Sequence, residues 1–165
     1  MNVREIKISD AENFANLTQQ VEGSSQYMLW EAGERNIQSE NQLKMIRGME
    51  DTENSTILVA ENNNNLIGFL LAKGGNARRN KHSAYIVIGI LKEYRGKGIG
   101  TKLFNELEQW ASNHKICRLE LTVVTKNEAG LSLYKKVGFE IEGTKRNSLF
   151  IDGEFVDEYY MSKLL

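Results

Sequence analysis

The chain has 165 residues, with 21 Lys and Arg against 22 Asp and Glu, a formal net charge of -1, one Cys and no Pro. A hydrophobic share of 41% and a charged share of 26% suit one soluble globular domain over residues 1–165. No apolar run approaches the roughly 20 residues of a membrane span, the charged start Met1–Lys7 is unlike a signal peptide, and a lone Cys117 with two distant His residues offers neither a disulfide nor a metal site. The expectation is a cytoplasmic protein with no membrane and no metal. The near-zero charge argues against nucleic acid held by bulk attraction.

In chain order, Val3–Ile8 alternates as a half-buried strand, and Ser9-Asp10 offers a cap for a helix from Ala11 to Val21 with Phe14, Leu17 and Val21 on one face. Residues 22–36 have no clean period but hold Tyr27, Met28, Leu29 and Trp30, a loop with an apolar patch. Ser39 to Glu50 reads as a second helix capped at Ser39. Thr56–Ala60 and Leu66–Ala72 flank an Asn-rich turn, a hairpin, and Ala84–Leu91 is apolar on both faces, as a central strand is. Gly89 interrupts that strand, so a bulge or a close approach of another molecule is expected there. Ile99, Leu103, Leu107 and Trp110 form the stripe of a third helix, and Cys117–Val123 alternates with Cys117 on the apolar face. Asn127 caps a helix through Val137, and Asp152-Gly153 turns a final hairpin between Leu149–Ile151 and Glu154–Met161. The order β-α-α-β-β-β-α-β-α-β-β describes an α/β domain with a mixed sheet.

The most informative stretch is Ile88-Gly89-Ile90-Leu91-Lys92-Glu93-Tyr94-Arg95-Gly96-Lys97-Gly98-Ile99-Gly100-Thr101, between a buried strand and an amphipathic helix. Backbone N–H groups at a helix start are unpaired, the helix dipole favours an anion, and Arg95 and Lys97 add charge. A phosphate or pyrophosphate site follows. No Walker spacing occurs, which disfavours ATP hydrolysis. A dinucleotide fingerprint wants its third Gly where Thr101 stands, although Glu120 lies at the expected distance downstream. A glycine-rich turn without a ligand is the remaining alternative.

Arg95-Gly96-Lys97-Gly98-Ile99-Gly100 resembles the pyrophosphate loop Arg/Gln-x-x-Gly-x-Gly/Ala of the GNAT superfamily of acyl-CoA-dependent N-acetyltransferases. Asn127-Glu128-Ala129-Gly130-Leu131-Ser132-Leu133-Tyr134-Lys135-Lys136-Val137-Gly138-Phe139 resembles that family's second block, with Gly130 at the usual Ala position. The two motifs cover about residues 86 to 143, and the element order extends the likeness to the whole chain.

The resemblance implies a mostly antiparallel sheet whose central strand is bulged and splayed, with acetyl-CoA as co-substrate. Ile88, Gly89, Ile90 and Leu91 would line the pantetheine arm, and Arg95 through Thr101 the pyrophosphate. The N–H of Ile90 would polarise the thioester carbonyl, Asn127 would contact the cofactor, and the Tyr134 hydroxyl would protonate the departing thiolate. The branch that acetylates ribosomal-protein N-termini carries a catalytic Glu where this chain has Thr122, so Glu31 and Glu120 stand as candidates for the base. The acceptor would be a primary amine of a small molecule or peptide, held between the Tyr27–Glu31 segment and the C-terminal hairpin, and the weak likeness of that hairpin is to phosphinothricin and amino-acid acetyltransferases. A homodimer is common in such families. A module that binds acyl-CoA without catalysis is the alternative.

Lys73 to Lys102 contains eight basic residues and the single acid Glu93, whereas residues 1–72 hold five basic and eleven acidic. The neutral total hides opposed fields, the first suited to an anionic cofactor and the second to a cationic amine.

Overall fold

Alternating strands and two tight turns assemble into one seven-stranded sheet in the computed structural model, which describes residues 1–165. The elements are β1 (Asn2–Glu5), α1 (Ala11–Ser24), α2 (Ser39–Glu50), β2 (Thr56–Asn62), β3 (Asn65–Gly74), β4 (Ser83–Ile90), α3 (Ile99–Asn113), β5 (Arg118–Val124), α4 (Glu128–Lys136), β6 (Glu140–Ile151) and β7 (Glu154–Leu164). Across the sheet the order is β1-β2-β3-β4-β5-β7-β6, and every pairing is antiparallel except β4 with β5. This is the mixed, mostly antiparallel α/β arrangement expected from the sequence.

Turn chemistry sets the hairpins. Asn63 and Asn64 at φ 49° and 65° join β2 to β3, and Asp152 and Gly153 at φ 50° and 79° join β6 to β7, positive at both central positions as a type I′ turn requires. Strand β6 starts earlier than alternation indicated. It pairs with β7 from Glu140, through register shifts after Ile141 and after Lys145 that hide its period. Helix α2 begins at Ser39, but the flanking residue is the extended Gln38, and no side chain caps it.

Helices cover the sheet on both faces. On one, Phe14 of α1 meets Phe69 edge-on at 5.4 Å, and Val21 packs where β4 passes beneath. On the other, Ile99, Leu103, Phe104 and Leu107 of α3 are buried, and Phe104 contacts Phe139 at 5.5 Å and Tyr134 at 6.0 Å, which seats α4 beside α3. The amino terminus is clamped to this frame. Arg4 donates to both oxygens of Asp10 at 2.8 and 3.0 Å and reaches Glu61 at 3.4 Å, and the Lys7 N–H donates to Asp10 at 2.7 Å. The Arg4 guanidinium, helped by that N–H and opposed by burial, holds the Asp10 carboxyl below its ordinary range.

Two expectations are corrected here. Strand β4 is not bulged: its register with β3 runs unbroken from Gly74↔Ala84 to Gly68↔Ile90. Gly89 is required by packing, because a Cβ there would lie 2.6 Å from Cε1 of Phe69 and 2.8 Å from Cγ1 of Val21. Cys117 is exposed and precedes β5, since the ladder starts one residue later at Arg118↔Leu164. No helix is long and apolar enough to cross a membrane.

Candidate active site

The phase of the strand ladders creates the central feature. Leu91 donates to the Ile67 carbonyl and Gly75 to that of Ser83, both at 3.0 Å, so the odd-numbered residues of β4 exchange their bonds with β3. The even-numbered ones turn their N–H and C=O groups toward β5. That strand meets them only from Ser83↔Arg118 to Tyr85↔Glu120. On the far side, Thr125 donates to Asp157 and Leu165 to Cys117, which leaves the backbone of Thr122 and Val124 turned toward β4. Beyond Tyr85 and Glu120 the two strands therefore diverge into a fork, with the N–H groups of Ile88 and Ile90 facing the gap. The splay expected of the central strand is present, although the bulge is not.

The glycine loop closes the open end of the fork. After Leu91, a single 3-10 turn over Lys92–Tyr94 leads to Gly96 and Gly98 at φ 73° and 81°. A Cβ at either would meet nothing within 4 Å, so glycine is there for its left-handed backbone and not for space. None of the N–H groups from Gly96 to Thr101 donates to another protein atom. They form a row at the N-terminus of α3, an arrangement that receives anionic oxygens. Gly100 serves packing, since its Cβ would lie 2.7 Å from Leu133 of α4.

Arg95 does more than supply charge. Its Nε donates to the Ile90 carbonyl at 3.1 Å and its Nη2 to the Ser24 hydroxyl at 3.4 Å, which ties the loop to the end of β4 and to α1. Lys97 lies over the Tyr94 ring at 5.3 Å.

On the α3 face, the side-chain oxygen Oδ1 of Asn127 accepts from the Gly130 N–H at 3.0 Å and caps α4. A Cβ on residue 130 would come 2.7 Å from Asn127 Nδ2, which accounts for Gly where the motif usually has Ala. The Nδ2 amide donates to no protein atom. About two helical turns on, Tyr134 is half-buried against Phe104 and Phe139, and its hydroxyl has no hydrogen-bond partner. Burial first, and then the neighbouring Tyr85 phenol, pushes its pKa up to about 12.

A model of the acetyltransferase (GNAT) family matches residues 23–139, most of the chain and all of the fork. The chain belongs to that family. It resembles the L-amino acid N-acetyltransferase AaaT of Escherichia coli, 33% identical over 108 residues, 65% of this chain and 67% of that one. Among solved structures it superposes on a GNAT-family acetyltransferase from Streptococcus pneumoniae with a TM-score of 0.95 and 29% identity, over 99% of this chain and 98% of that one. A phosphinothricin acetyltransferase from Sinorhizobium meliloti, in complex with acetyl-CoA, shares the fold at a TM-score of 0.87 and 19% identity, over 99% and 88% of the two chains. Membership makes this chain an acyl-CoA-dependent N-acetyltransferase.

The two candidate bases of this GNAT enzyme occupy different places. Glu120 sits at the closed end of the fork, where its carboxylate accepts from Arg118 Nε at 3.0 Å, and Arg118 also reaches Glu142 at 2.6 Å. Glu31 is exposed on the segment between α1 and α2, and no hydrogen bond or ion pair joins its side chain to the fork. That segment is anchored instead by the buried Glu22, paired with Arg35, whose guanidinium lies 5.0 Å from the Trp30 ring.

Sequence reasoning missed Tyr85. Its hydroxyl bonds Thr122 Oγ1 at 2.8 Å, spanning the fork at the first step beyond the last backbone pair. The available signal was its phenol hydroxyl within the run Ala84–Ile90, whose other side chains are apolar. On the face away from α3 it borders a cleft of about 820 Å³, which also touches Lys73, His82, Val87, Arg118 and Glu120.

Proposed function

We propose that this enzyme transfers an acetyl group from acetyl-CoA to the primary amine of a small, amino-acid-like acceptor by direct attack in a ternary complex. The observation that carries the reading is the fork, whose Ile88 and Ile90 N–H groups continue inward from the free N–H row of Gly96–Thr101. The residues suit acetyl-CoA. The loop amides, with Arg95 and Lys97 beside them, meet the pyrophosphate; Ile88, Gly89, Ile90 and Leu91 line the extended arm; and the free Nδ2 of Asn127 adds a donor.

Bound acetyl-CoA supplies the thioester. The N–H groups of Ile88 and Ile90 polarise its carbonyl, a main-chain effect worth about 3 kcal/mol; Ile90 was expected in this role, and Ile88 lies one pair nearer the closed end. As the amine nitrogen bonds to the carbonyl carbon and the C–S bond breaks, the Tyr134 hydroxyl gives its proton to sulphur. Its elevated pKa keeps it protonated across the working pH range. The amine must arrive neutral, and Glu120 beside Arg118 is better placed than Glu31 to take its proton through water.

The acceptor cleft carries both signs of charge, Lys73 and Arg118 against Glu120 and, alongside, Glu142. That mixture suits a zwitterion and favours an amino acid over a purely cationic amine. Consumption of acetyl-CoA in the cytoplasm is part of the same reading. The test is thiol release from acetyl-CoA over a panel of L-amino acids and simple amines. Amine-dependent release supports the proposal, whereas binding of acetyl-CoA without turnover favours a sensor. Light scattering reads whether the protein is the homodimer common in this family.

A further inference from the structure

The closed end of the fork is sealed by side chains as well as by backbone. The last β4–β5 pair is Tyr85↔Glu120, and one step further into the gap the Tyr85 and Thr122 hydroxyls are bonded at 2.8 Å. Both side chains lie on the face away from α3, as the shared register of Tyr85 and Glu120 dictates. The gap thus ends against two hydroxyls bonded together across the strands.

The direction of the acyl group follows from the ends of the fork. The anion-receiving amides stand at its open end, so an arm entering there carries its thioester inward past Ile90 toward Ile88. Tyr85 is three residues further, about 10 Å at ~3.3 Å per residue. That distance must hold the carbonyl, the acyl chain and the inward-reaching side chains. An acetyl methyl fits before the hydroxyl bridge. A longer chain would have to part Tyr85 from Thr122 and leave both hydroxyls against hydrocarbon.

We propose that the Tyr85–Thr122 bridge is the acyl-length stop of this enzyme and restricts its donors to acetyl-CoA. The inference rests on the acetyl-CoA reading above and adds to it a specificity determinant on the strands. Discrimination of about 10–200-fold per added methylene is the range such a wall supplies.

The test compares acetyl-, propionyl- and butyryl-CoA with the wild type, Thr122→Ala, Thr122→Val and Tyr85→Phe. Two readouts are used: calorimetric dissociation constants without acceptor, and kcat/KM with an equimolar mixture of the common L-amino acids. The wild type should prefer acetyl-CoA to butyryl-CoA by about 100-fold or more in kcat/KM. Thr122→Ala, which removes both the bond and the bulk, should shrink that ratio about 10-fold or more, and Tyr85→Phe and Thr122→Val, which remove the bond and keep the size, should shrink it less. A wild type that uses butyryl-CoA within about 3-fold of acetyl-CoA, or variants that slow all donors with the ratio unchanged, would overturn the proposal. The two claims fail separately. No turnover with the amino-acid mixture contradicts the acceptor, and the wall is then judged on the ratio of dissociation constants. No binding of any thioester contradicts both.

Discussion

Tyr134 shows how burial sets the proton affinity of one residue. Packed against Phe104 and Phe139 it loses water, and losing water disfavours the phenolate, so the hydroxyl holds its proton at a pKa of about 12. Tyr134→Phe should lower kcat by about 100-fold while the thermal upshift with acetyl-CoA persists. The raised pKa also has a consequence for stability. The folded state binds this proton more tightly than the unfolded chain, so its contribution is complete below the unfolded pKa of about 10 and lost as pH rises through about 12. Asp10 behaves in the opposite sense. Its carboxyl is held low by Arg4, so its contribution is present above an unfolded pKa of about 3.9 and disappears as pH falls through the lower folded value. Asp10→Asn should cost about 2 kcal/mol at neutral pH in a urea melt, with the difference from wild type shrinking below pH of about 4.

At the scale of elements, two glycines beside the same site have different reasons, and substitution separates them. Gly89→Ala pushes a methyl into Phe69 and Val21 and should destabilise by about 2 kcal/mol. Gly98→Ala finds open space and carries only the left-handed backbone penalty, about 1 kcal/mol, and should weaken acetyl-CoA binding by disturbing the amide row. Much of this region was legible in the sequence. The loop Arg95–Gly100, the cap at Asn127 and the helix carrying Tyr134 are local patterns, and local hydrogen bonding writes them directly into residue order. The fork was not written there, because it depends on where β5 stops pairing with β4, a matter of two strands separated by α3. The resemblance supplied the splay, but it also implied a bulge that the unbroken β3–β4 register removes. Tyr85 was hidden for the same reason: its partner Thr122 is 37 positions away and only the parallel register brings them together. Cys117 was misplaced because alternation marks a face without fixing where the ladder begins.

Over the whole molecule, the fold divides the basic segment that the sequence presents as one. Lys92, Arg95, Lys97 and Lys102 gather at the loop end of β4, whereas Lys73, Arg78, Arg79 and Lys81 flank its other end, about 23 Å away along the eight residues of the strand. In the proposed reading the first group attracts the polyphosphate of acetyl-CoA. Of the second, only Lys73 lines the open cleft, where with Arg118 it would attract the anionic group of the proposed acceptor. Both attractions are screened beyond about 8 Å at physiological ionic strength, so KM for acetyl-CoA and for an acidic acceptor should each rise with salt. The central claim, that this fork moves acetyl groups onto amines, is tested most directly by thiol release from acetyl-CoA over the L-amino acid panel, with wild type and Tyr134→Phe side by side. Amine-dependent release by the wild type is expected, reduced about 100-fold in Tyr134→Phe, with both proteins stabilised by about 2.7 kcal/mol at 100 times the dissociation constant of acetyl-CoA. A wild type that gains this stability yet releases no thiol with any amine, or that ignores acetyl-CoA altogether, would contradict it.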